Sequence, residues 1–344
     1  MIVLAPDKFK GTLSASEVAD AMARGLRRAG VRDDVRGVRM ADGGEGMAYA
    51  LGAVAVSDIK GAYILPDGRG LLMSAEICGA SLRDVKPELR STRRLGEAVR
   101  LLSTRVPEVL IGVGGTLTAD GGAGYLQGLG YEFFDESGCV IFEDLSPEVL
   151  VRRGLSRVSI PAERLPKVMG LCDVACPIFA PESELSALSF IRQKGFDTPE
   201  LAEIAECALS LINNVLLSNT EAYGGAGGGL GYAIGVLPGA ICRSGAEYVI
   251  EANAAVLGAA RLIVTGEGSI DAQTRGGKCV DALQRFARER HIPVLAVGGR
   301  VNPSMVGPMV IGCRAWDSSM PDSHTAAMEV ENSVADWAMN YFAE

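Results

Sequence analysis

The chain has 344 residues, of which 48% are hydrophobic and 22% are charged, and its formal net charge is −9. This acidic balance argues against nucleic acid as a partner, because binding to a phosphate backbone requires a basic face. No apolar run reaches the length of a membrane span, and the early charges at Asp7 and Lys8 differ from those of a signal peptide. We therefore expect a cytoplasmic protein without a membrane partner and, from its length, with two domains.

The eight cysteines are spread along the chain without the spacing of a disulfide framework, and there are only two histidines. Reduced thiols are therefore expected, and a structural zinc site is not.

The first predicted elements are a strand, a loop and a helix. Residues 2–5 are apolar and predict a short buried strand, and Lys8 and Lys10 follow it in a loop. Residues 14–17, Ser-Ala-Ser-Glu, form a capping box that predicts the start of a helix. Because ligands bind at the carboxyl ends of strands in open α/β sheets, both lysines are candidate contacts for an anion.

The hexapeptide Ala-Asp-Gly-Gly-X-Gly occurs twice, at residues 41–46 and 119–124, each time after a predicted strand and before a predicted helix. The carboxylates of Asp42 and Asp120 can accept N–H groups of a first helical turn, hold a cation or take a proton. The glycines allow positive φ and close approach to a ligand, and a helix N-terminus favours an anion such as phosphate. One copy is compatible with an ordinary turn, whereas two copies favour an enzyme that handles phosphate.

Further buried strands are predicted at residues 109–113, 261–264 and 293–297, the last two followed by glycine-rich turns at 265–271 and 298–299. A hairpin is predicted over 131–142 and a helix over 204–217. This order predicts two α/β domains, one of them Rossmann-like with a mostly parallel sheet. We assign residues 1–60 and 255–344 to the Rossmann-like domain and residues 61–254 to an inserted domain, with an active-site cleft between them.

No standard nucleotide-binding motif is complete. G-x-G-x-x-G is absent, and Gly277-Lys278 fails the P-loop pattern at Ala272 and Cys279. Six glycines in the eight residues 224–231 suggest either a flexible linker or a phosphate-binding loop, and the apolar flanks favour the loop. Phosphoryl transfer requires Mg²⁺ held by acids, a base and several cations. Acids and lysines occur beside predicted strand ends and glycines, although each alone is compatible with a helix cap or a solvated side chain.

Taken together, these residues resemble the bacterial glycerate kinase family of type I, over nearly the whole chain. The matching stretches are residues 5–14, 40–46, 112–116, 120–124, 172–174, 193–195, 224–231 and 265–278. The resemblance implies phosphorylation of D-glycerate, usually at the 2-hydroxyl to give 2-phosphoglycerate, with ATP and Mg²⁺ as cofactors and a small molecule as the partner.

The resemblance also guides the assignment of roles. We predict Asp173 as the base or orienter of the acceptor hydroxyl, with Lys8 and Lys194 as catalytic cations. The predicted substrate contacts are Lys10, Asp42, Gly43 and Gly44. The predicted nucleotide contacts are Gly114, Gly115, Thr116, Gly227, Gly228, Gly229 and Lys278. The predicted metal ligands are Asp120, Glu267 and Asp271.

The chain departs from the family pattern at Thr116-Leu117-Thr118-Ala119, where relatives carry Ser-Ala-Thr-Asn, and also at Cys176-Pro177, at residues 93–96 and at Ser269. These departures leave two alternatives open, a kinase for a related hydroxy acid and a catalytically weak sensor of a nucleotide or sugar acid. A nicotinamide-dependent dehydrogenase is disfavoured because the glycine fingerprint is missing. A homodimer is compatible with the sequence, which does not define the assembly.

Overall fold

The computed structural model describes residues 1–218, 221–270, 279–307, 309–313 and 321–343. Its contacts divide the chain into two compact units. Unit 1 comprises Met1–Ala41 and Ala246–Glu344, and unit 2 comprises Asp42–Gly245. These breaks differ from the predicted ones at 60/61 and 254/255, because the first Asp-Gly-Gly loop belongs with the inserted segment. Helices and strands are numbered below in chain order.

Unit 1 is built on a five-stranded sheet in the order β13-β12-β11-β1-β2, in which all neighbouring strands are parallel. Mostly parallel sheets with helices confirm the predicted α/β class. The elements of this unit are β1 (Ile2–Leu4), α1 (Ala15–Arg28), β2 (Val35–Gly37), α9 (Gly245–Ala252), α10 (Ala254–Gly258), β11 (Leu262–Ile270), α11 (Cys279–Arg288), β12 (Val294–Val301), β13 (Val310–Gly312) and α12 (Ser323–Tyr341).

Helix α1 begins at the predicted capping box. The Ser14 side chain accepts from the Glu17 N–H, and the Glu17 carboxylate accepts from the Ser14 N–H. Val18, Met22 and Leu26 repeat at four-residue spacing and are fully buried in the core beside β1 and α12. The apolar stripe and the cap therefore place and start this helix as predicted.

Unit 2 contains a six-stranded sheet in the order β10-β9-β6-β5-β4-β3, in which β10, β9, β6 and β5 are parallel and the other pairs are antiparallel. Its elements are α2 (Met47–Ala50), β3 (Val54–Ala55), β4 (Ala62–Ile64), β5 (Gly70–Met73), α3 (Ser74–Cys78), α4 (Arg93–Leu102), β6 (Val109–Gly112), α5 (Ala123–Gly128), β7 (Glu132–Phe134), α6 (Pro147–Arg153), β8 (Arg157–Ser159), β9 (Val168–Cys172), α7 (Pro199–Val215), α8 (Leu230–Ile234) and β10 (Ile241–Ser244).

The predicted hairpin over 131–142 is only partly formed. Strand β7 pairs with β8 in an antiparallel two-stranded sheet, and the return after the turn forms a single bridge between Phe134 and Val140. Sequence proximity favoured the nearer segment, but the full pairing of β7 is with a strand more than twenty residues away along the chain.

The predicted turn at 265–271 is wrong for residues 265–270. Strand β11 continues through Ile270, since its register with β12 runs from Ile263 opposite Val294 to Ile270 opposite Val301. Glycines weaken a strand but do not end it when a neighbouring strand pairs with their backbone. Glu267 therefore lies within a strand rather than in a loop.

The longest helices among the described residues are α7 and α12. Each buries one stripe of apolar residues and leaves the opposite face to solvent. Within the described ranges, no helix has the length and apolarity needed to cross a membrane.

Gly25 allows close packing of α1 against α12, and its substitution tests that packing. A Cβ at Gly25 would lie 2.6 Å from the Glu331 carbonyl oxygen and 3.0 Å from the Val334 Cβ. We expect Gly25→Ala to lower the free energy of unfolding by about 1–3 kcal/mol through overpacking. Gly258→Ala is the matched control in α10, where a Cβ would meet nothing within 4 Å. Urea unfolding measures both, and equal stabilities would contradict the packing.

Candidate active site

The four parallel strands of unit 2 end at one edge of its sheet. The register places Met73 opposite Gly112, Gly112 opposite Leu171, and Cys172 opposite Ser244. The segments that follow these strands therefore begin side by side. This edge is where open α/β sheets bind their ligands.

The first Asp-Gly-Gly loop closes over this edge. The Gly44 N–H donates to Asp42 Oδ1 at 3.2 Å, and the Gly114 N–H donates to the Gly43 carbonyl at 3.1 Å. Gly43 has φ 115°, and a Cβ there would lie 2.6 Å from the Leu171 carbonyl oxygen. Glycine is therefore required at position 43 by both conformation and space.

Asp173 follows β9 and lies directly against the segment that follows β6. A Cβ on Gly114 would lie 2.9 Å from the Asp173 Oδ2 and equally close to the Cα of Gly44. The Asp173 side chain is half-buried, so it keeps contact with solvent. The structure thus brings Asp173, Gly44 and Gly114 to one place, as expected for residues of a shared site.

Lys194 supplies a buried positive charge to the same unit. Its ammonium donates to the carbonyl oxygen of Thr116 at 2.7 Å and to Thr116 Oγ1 at 2.9 Å. Burial lowers the pKa of Lys194 to about 8, while the charges of Asp173 and Asp120 act in the opposite direction. A lysine so placed can change charge near neutral pH and can stabilise an anion beside the residue 114–116 loop.

Asp120 is enclosed by protein donors. Oδ2 accepts from the Thr92 N–H at 2.8 Å, the Thr92 hydroxyl at 2.7 Å and the Gly124 N–H at 3.3 Å, and Oδ1 accepts from the Gly122 N–H at 3.2 Å. The side chain is fully buried, and this burial raises the pKa of Asp120. Such contacts favour a structural role, holding the second Asp-Gly-Gly loop to the start of α4. Its predicted role as a metal ligand stays an untested prediction.

The glycine run before α8 packs against that second loop. Gly227, Gly228 and Gly229 all have positive φ, at 65°, 71° and 91°. A Cβ on Gly229 would lie 2.5 Å from the Gly121 Cα, and the Gly121 N–H donates to the Gly228 carbonyl. The run is therefore a close-packed turn between two loops and not a flexible linker. Gly228 and Gly229 are buried, which also argues against a phosphate-binding loop at these two positions.

Unit 1 carries the remaining described candidates. The Asp7 N–H donates to the Gly266 carbonyl, and a Cβ on Gly268 would lie 3.4 Å from the backbone nitrogen of Lys10. The loop with half-buried Lys8 and exposed Lys10 therefore runs beside Glu267, which is 6% exposed. Asp271 and Lys278 lie outside the described residues. In the described part of the chain, no group of three or more His, Cys, Asp or Glu side chains is arranged to hold a metal ion.

Sequence reasoning missed two buried polar residues of unit 2. Thr92 anchors Asp120, and its hydroxyl also accepts from the Tyr125 N–H at 2.7 Å. Arg90 donates to four main-chain carbonyls, including that of Lys194. No local pattern marks either residue, since the hydrogen bonds from Arg90 to Leu117 and Lys194 and from Thr92 to Asp120 span 27 to 104 positions. A charged residue outside every predicted helix and strand, such as Arg90, is normally taken as a surface residue.

The fold and these contacts define a class: an α/β protein whose parallel sheet carries glycine-lined loops, an aspartate and a buried lysine at its carboxyl edge. Similarity to known proteins narrows this class. The model of the glycerate kinase family matches residues 2–338. The chain belongs to this family, which confirms the predicted family and the predicted enzyme class, a kinase.

Individual relatives agree with the family match. Glycerate kinase of Bacillus subtilis is 30% identical, with 88% of this chain and 85% of the relative covered. Glycerate 2-kinase of Escherichia coli K12 is also 30% identical, with coverage of 87% and 84%. A crystal structure from Salmonella typhimurium LT2, assigned as a glycerate kinase 2, superimposes with a TM-score of 0.72 at 28% identity, covering 99% of this chain and 98% of that one.

The enclosure of Asp120 leads to a stability prediction. In Asp120→Asn, an amide NH₂ must face one of the N–H or O–H donors that the carboxylate now accepts from. We expect a loss of about 1–3 kcal/mol in the free energy of unfolding, because a buried donor stays unsatisfied. Asp58→Asn, which removes the charge from an exposed pair with Arg105, is the control and should cost at most about 0.5 kcal/mol. An Asp120→Asn protein as stable as the wild type would contradict the assignment of the Asp120 carboxylate as the acceptor of all four hydrogen bonds.

Proposed function

We propose that this chain is an ATP- and Mg²⁺-dependent kinase that phosphorylates D-glycerate at its 2-hydroxyl, giving 2-phosphoglycerate. One observation carries the proposal: in a member of the glycerate kinase family, the Asp173 carboxylate lies against Gly114 at the carboxyl edge of the sheet. The charge of this carboxylate also raises the pKa of the buried Lys194 ammonium, against the larger effect of burial. The name of the Escherichia coli relative, glycerate 2-kinase, supports the choice of hydroxyl.

Asp173 is the group we assign to the acceptor hydroxyl. A half-buried carboxylate at the end of a central strand can accept a hydrogen bond from an alcohol and orient its oxygen for attack. Phosphoryl transfer depends mainly on such positioning and on charge, so a carboxylate acting as orienter and proton acceptor is sufficient. The proton of the hydroxyl then passes to Asp173 as the bond from the hydroxyl oxygen to the γ-phosphorus of ATP forms. The bond between that phosphorus and the β,γ-bridging oxygen breaks, and ADP leaves.

Lys194 and the residue 114–116 loop are assigned to the anionic groups. Gly115 is exposed and has φ 82°, so its backbone can approach a ligand more closely than a side chain would allow. An ammonium has three N–H groups, and two of those of Lys194 are used by Thr116. The Lys194 ammonium contacts Thr116 of this loop, and its positive charge stabilises negative charge that develops on a ligand bound at the loop.

The carboxylates of this chain are compatible with Mg²⁺ binding. Mg²⁺ is usually held by one or two carboxylates together with substrate phosphates and water, so a cluster of three ligating side chains is not needed. Glu267 and Asp271 remain the ligands that we propose, whereas the four hydrogen bonds to Asp120 leave it a poor one. When bound, Mg²⁺ neutralises charge on the phosphate oxygens.

The remaining assignments stay proposals. Lys8 is proposed for the transferring phosphoryl group, Lys10 with residues 42–44 for the substrate, and Lys278 with residues 114–116 and Gly227 for the nucleotide. Gly228 and Gly229 are buried, which leaves them poor nucleotide contacts. The cleft between two domains, the homodimer and the cytoplasmic location likewise stay predictions.

The proposed reaction is tested by product identity. Purified protein, MgATP and D-glycerate are coupled to enolase, with and without phosphoglycerate mutase. Enolase acts on 2-phosphoglycerate directly, so signal without the mutase is the expected result. Signal only with the mutase would shift the assignment to the 3-hydroxyl. ADP release with tartronate or another hydroxy acid, but not with D-glycerate, would favour a related kinase, and calorimetric binding without any transfer would favour the sensor alternative.

Substitution of Asp173 tests its assigned role. We expect Asp173→Asn to lower kcat by about 10²–10⁴-fold, because the amide cannot take the hydroxyl proton. Asp197→Asn changes an exposed aspartate in the same unit and should leave kcat unchanged. The measurement is the steady-state rate of each variant compared with the wild type. If Asp173→Asn retains a rate near that of the wild type, the Asp173 carboxylate has no role in the mechanism.

The pKa of Lys194 leads to an expected pH dependence. Because this pKa is about 8 rather than the ordinary 10.5, the ammonium is present below pH 8 and is lost as the pH rises through that value. If the charge stabilises the reacting anion, kcat/KM should fall above about pH 8. The alkaline decline should be absent from the residual activity of Lys194→Gln. A wild-type profile that stays flat to pH 9.5 would contradict the role of this charge.

A further inference from the structure

Arg90 lies between the 3₁₀ turn Pro87–Leu89 and α4, and only 6% of its surface is exposed. Its guanidinium donates to the main-chain carbonyls of Val85 at 2.8 Å and Arg83 at 3.4 Å. Nη1 also donates to the carbonyls of Lys194 at 2.5 Å and Leu117 at 3.3 Å.

These last two hydrogen bonds close a ring of contacts. Arg90 holds the backbone of Lys194, the Lys194 ammonium holds Thr116, and Arg90 also holds Leu117, the next residue of that loop. A lysine side chain is flexible, so an ammonium fixed only at its tip could sample several positions. Fixing both the backbone of Lys194 and the loop it contacts restricts the positions open to the ammonium.

The turn after Lys194 is shaped to admit the guanidinium. Gly195 ends the 3₁₀ helix Arg192–Lys194 with φ 94°, a left-handed conformation that favours glycine. A Cβ on Gly195 would lie 3.0 Å from the Pro87 Cγ and 3.6 Å from Arg90 Nη1. The chain therefore reverses tightly around Arg90 immediately after the lysine.

The guanidinium is also an uncommon buried charge. Among the residues that the structure describes, no carboxylate lies within ion-pair distance of Arg90, and its hydrogen bonds end on carbonyl oxygens. Burial lowers the pKa of Arg90, and the charge of nearby Glu88, which forms no ion pair with it, only partly opposes this effect. Burying a charge with so little compensation is costly, so a purely structural position would favour a neutral side chain. The charge of Arg90 is therefore a candidate functional element.

We propose that Arg90 is a positioning residue for phosphoryl transfer, which holds the Lys194 ammonium against the residue 116–117 loop and sets the charge that acts on the reacting groups. This inference rests on the proposed function, because it acts through Lys194. It adds a residue that touches neither substrate nor nucleotide in the proposed assignment.

The electrostatics of the pair agree with this role. The groups that act on Lys194 are Asp173, Asp120 and Cys176, which raise its pKa, and Arg90, which lowers it as a like charge. Removing the charge of Arg90 should therefore raise the pKa of Lys194, whereas replacing it by another cation should not.

The experiment compares Arg90→Met, Arg90→Lys and the control Arg105→Met, which removes an exposed guanidinium paired with Asp58. For both Arg90 variants we expect kcat/KM to fall, by up to about 10²-fold, through misplacement of Lys194. In Arg90→Met the alkaline decline of kcat/KM should move to higher pH than in the wild type, and in Arg90→Lys it should stay near pH 8. Arg105→Met should match the wild type in both rate and profile.

Two measurements separate loss of folding from loss of positioning: the folded fraction of each variant and the pH profile of kcat/KM. Urea unfolding gives the folded fraction of each variant, and rates are corrected for it. If the corrected rates of Arg90→Met equal those of the wild type, or if its alkaline decline stays unmoved, the inference is overturned and Arg90 is structural only.

Failure of the proposed function is recognised separately. If the wild type transfers no phosphate to any acid tested, the pKa of Lys194 is measured by NMR in protein labelled with ¹³C at the lysine ε carbon, with Lys194→Gln assigning the signal. A higher pKa in Arg90→Met than in the wild type would keep the Arg90–Lys194 coupling while the kinase assignment falls. An unchanged pKa would remove the coupling itself.

Discussion

At the carboxyl edge of the unit 2 sheet, main-chain segments approach more closely than any side chain would permit. Gly43 lies against the carbonyl of Leu171, and Gly114 lies between Gly44 and the Asp173 carboxylate. This close approach lets the loops after β6 and β9 and the first Asp-Gly-Gly loop share one small region. Every group that we assign to chemistry in this unit, from Asp173 to Lys194, depends on that spacing.

Buried charge is the second feature of this region. Lys194, Arg90 and Asp120 are almost completely enclosed, and all three are satisfied mainly by main-chain carbonyl or N–H groups and by threonine hydroxyls. Such a network is stabilising only when each member keeps its partners, because any unpaired group would stay desolvated. The network therefore links the positions of distant segments. Burial within it lowers the pKa of Lys194 to about 8, so that the ammonium loses its charge only slightly above neutral pH. In a kinase, a positive charge held beside a glycine-containing loop can stabilise the negative charge of a phosphoryl group.

Local patterns predicted much of the fold. The capping box at Ser14 starts α1, the apolar stripe of that helix is buried, and the strand expected at residues 109–113 is β6. These elements are determined by interactions within a few residues along the chain. The errors occurred where distant pairing decides the outcome. Glycines at 266 and 268 suggested a turn, but β12 pairs with that backbone and extends β11 to Ile270.

The candidate site divides in the same way. The order of motifs marked Asp173, Lys194 and the two Asp-Gly-Gly loops, and their enzymatic roles stay predictions. The sequence could not show which of Asp42 and Asp120 is buried, because the same Ala-Asp-Gly-Gly-X-Gly pattern surrounds both. Asp120 is enclosed by Thr92 and two glycine N–H groups, whereas Asp42 is half-buried with one described hydrogen bond to Gly44.

The amino-acid sequence by itself determined the α/β class, the family and the positions of several helices and strands, because these follow from periodicity, caps and motif order. The tertiary structure decided which acid is buried, which strand pairs with β7, and that Arg90 reaches Lys194 across more than a hundred residues. Burial and long-range hydrogen bonding depend on how segments meet in space, and no local pattern of residues encodes that meeting.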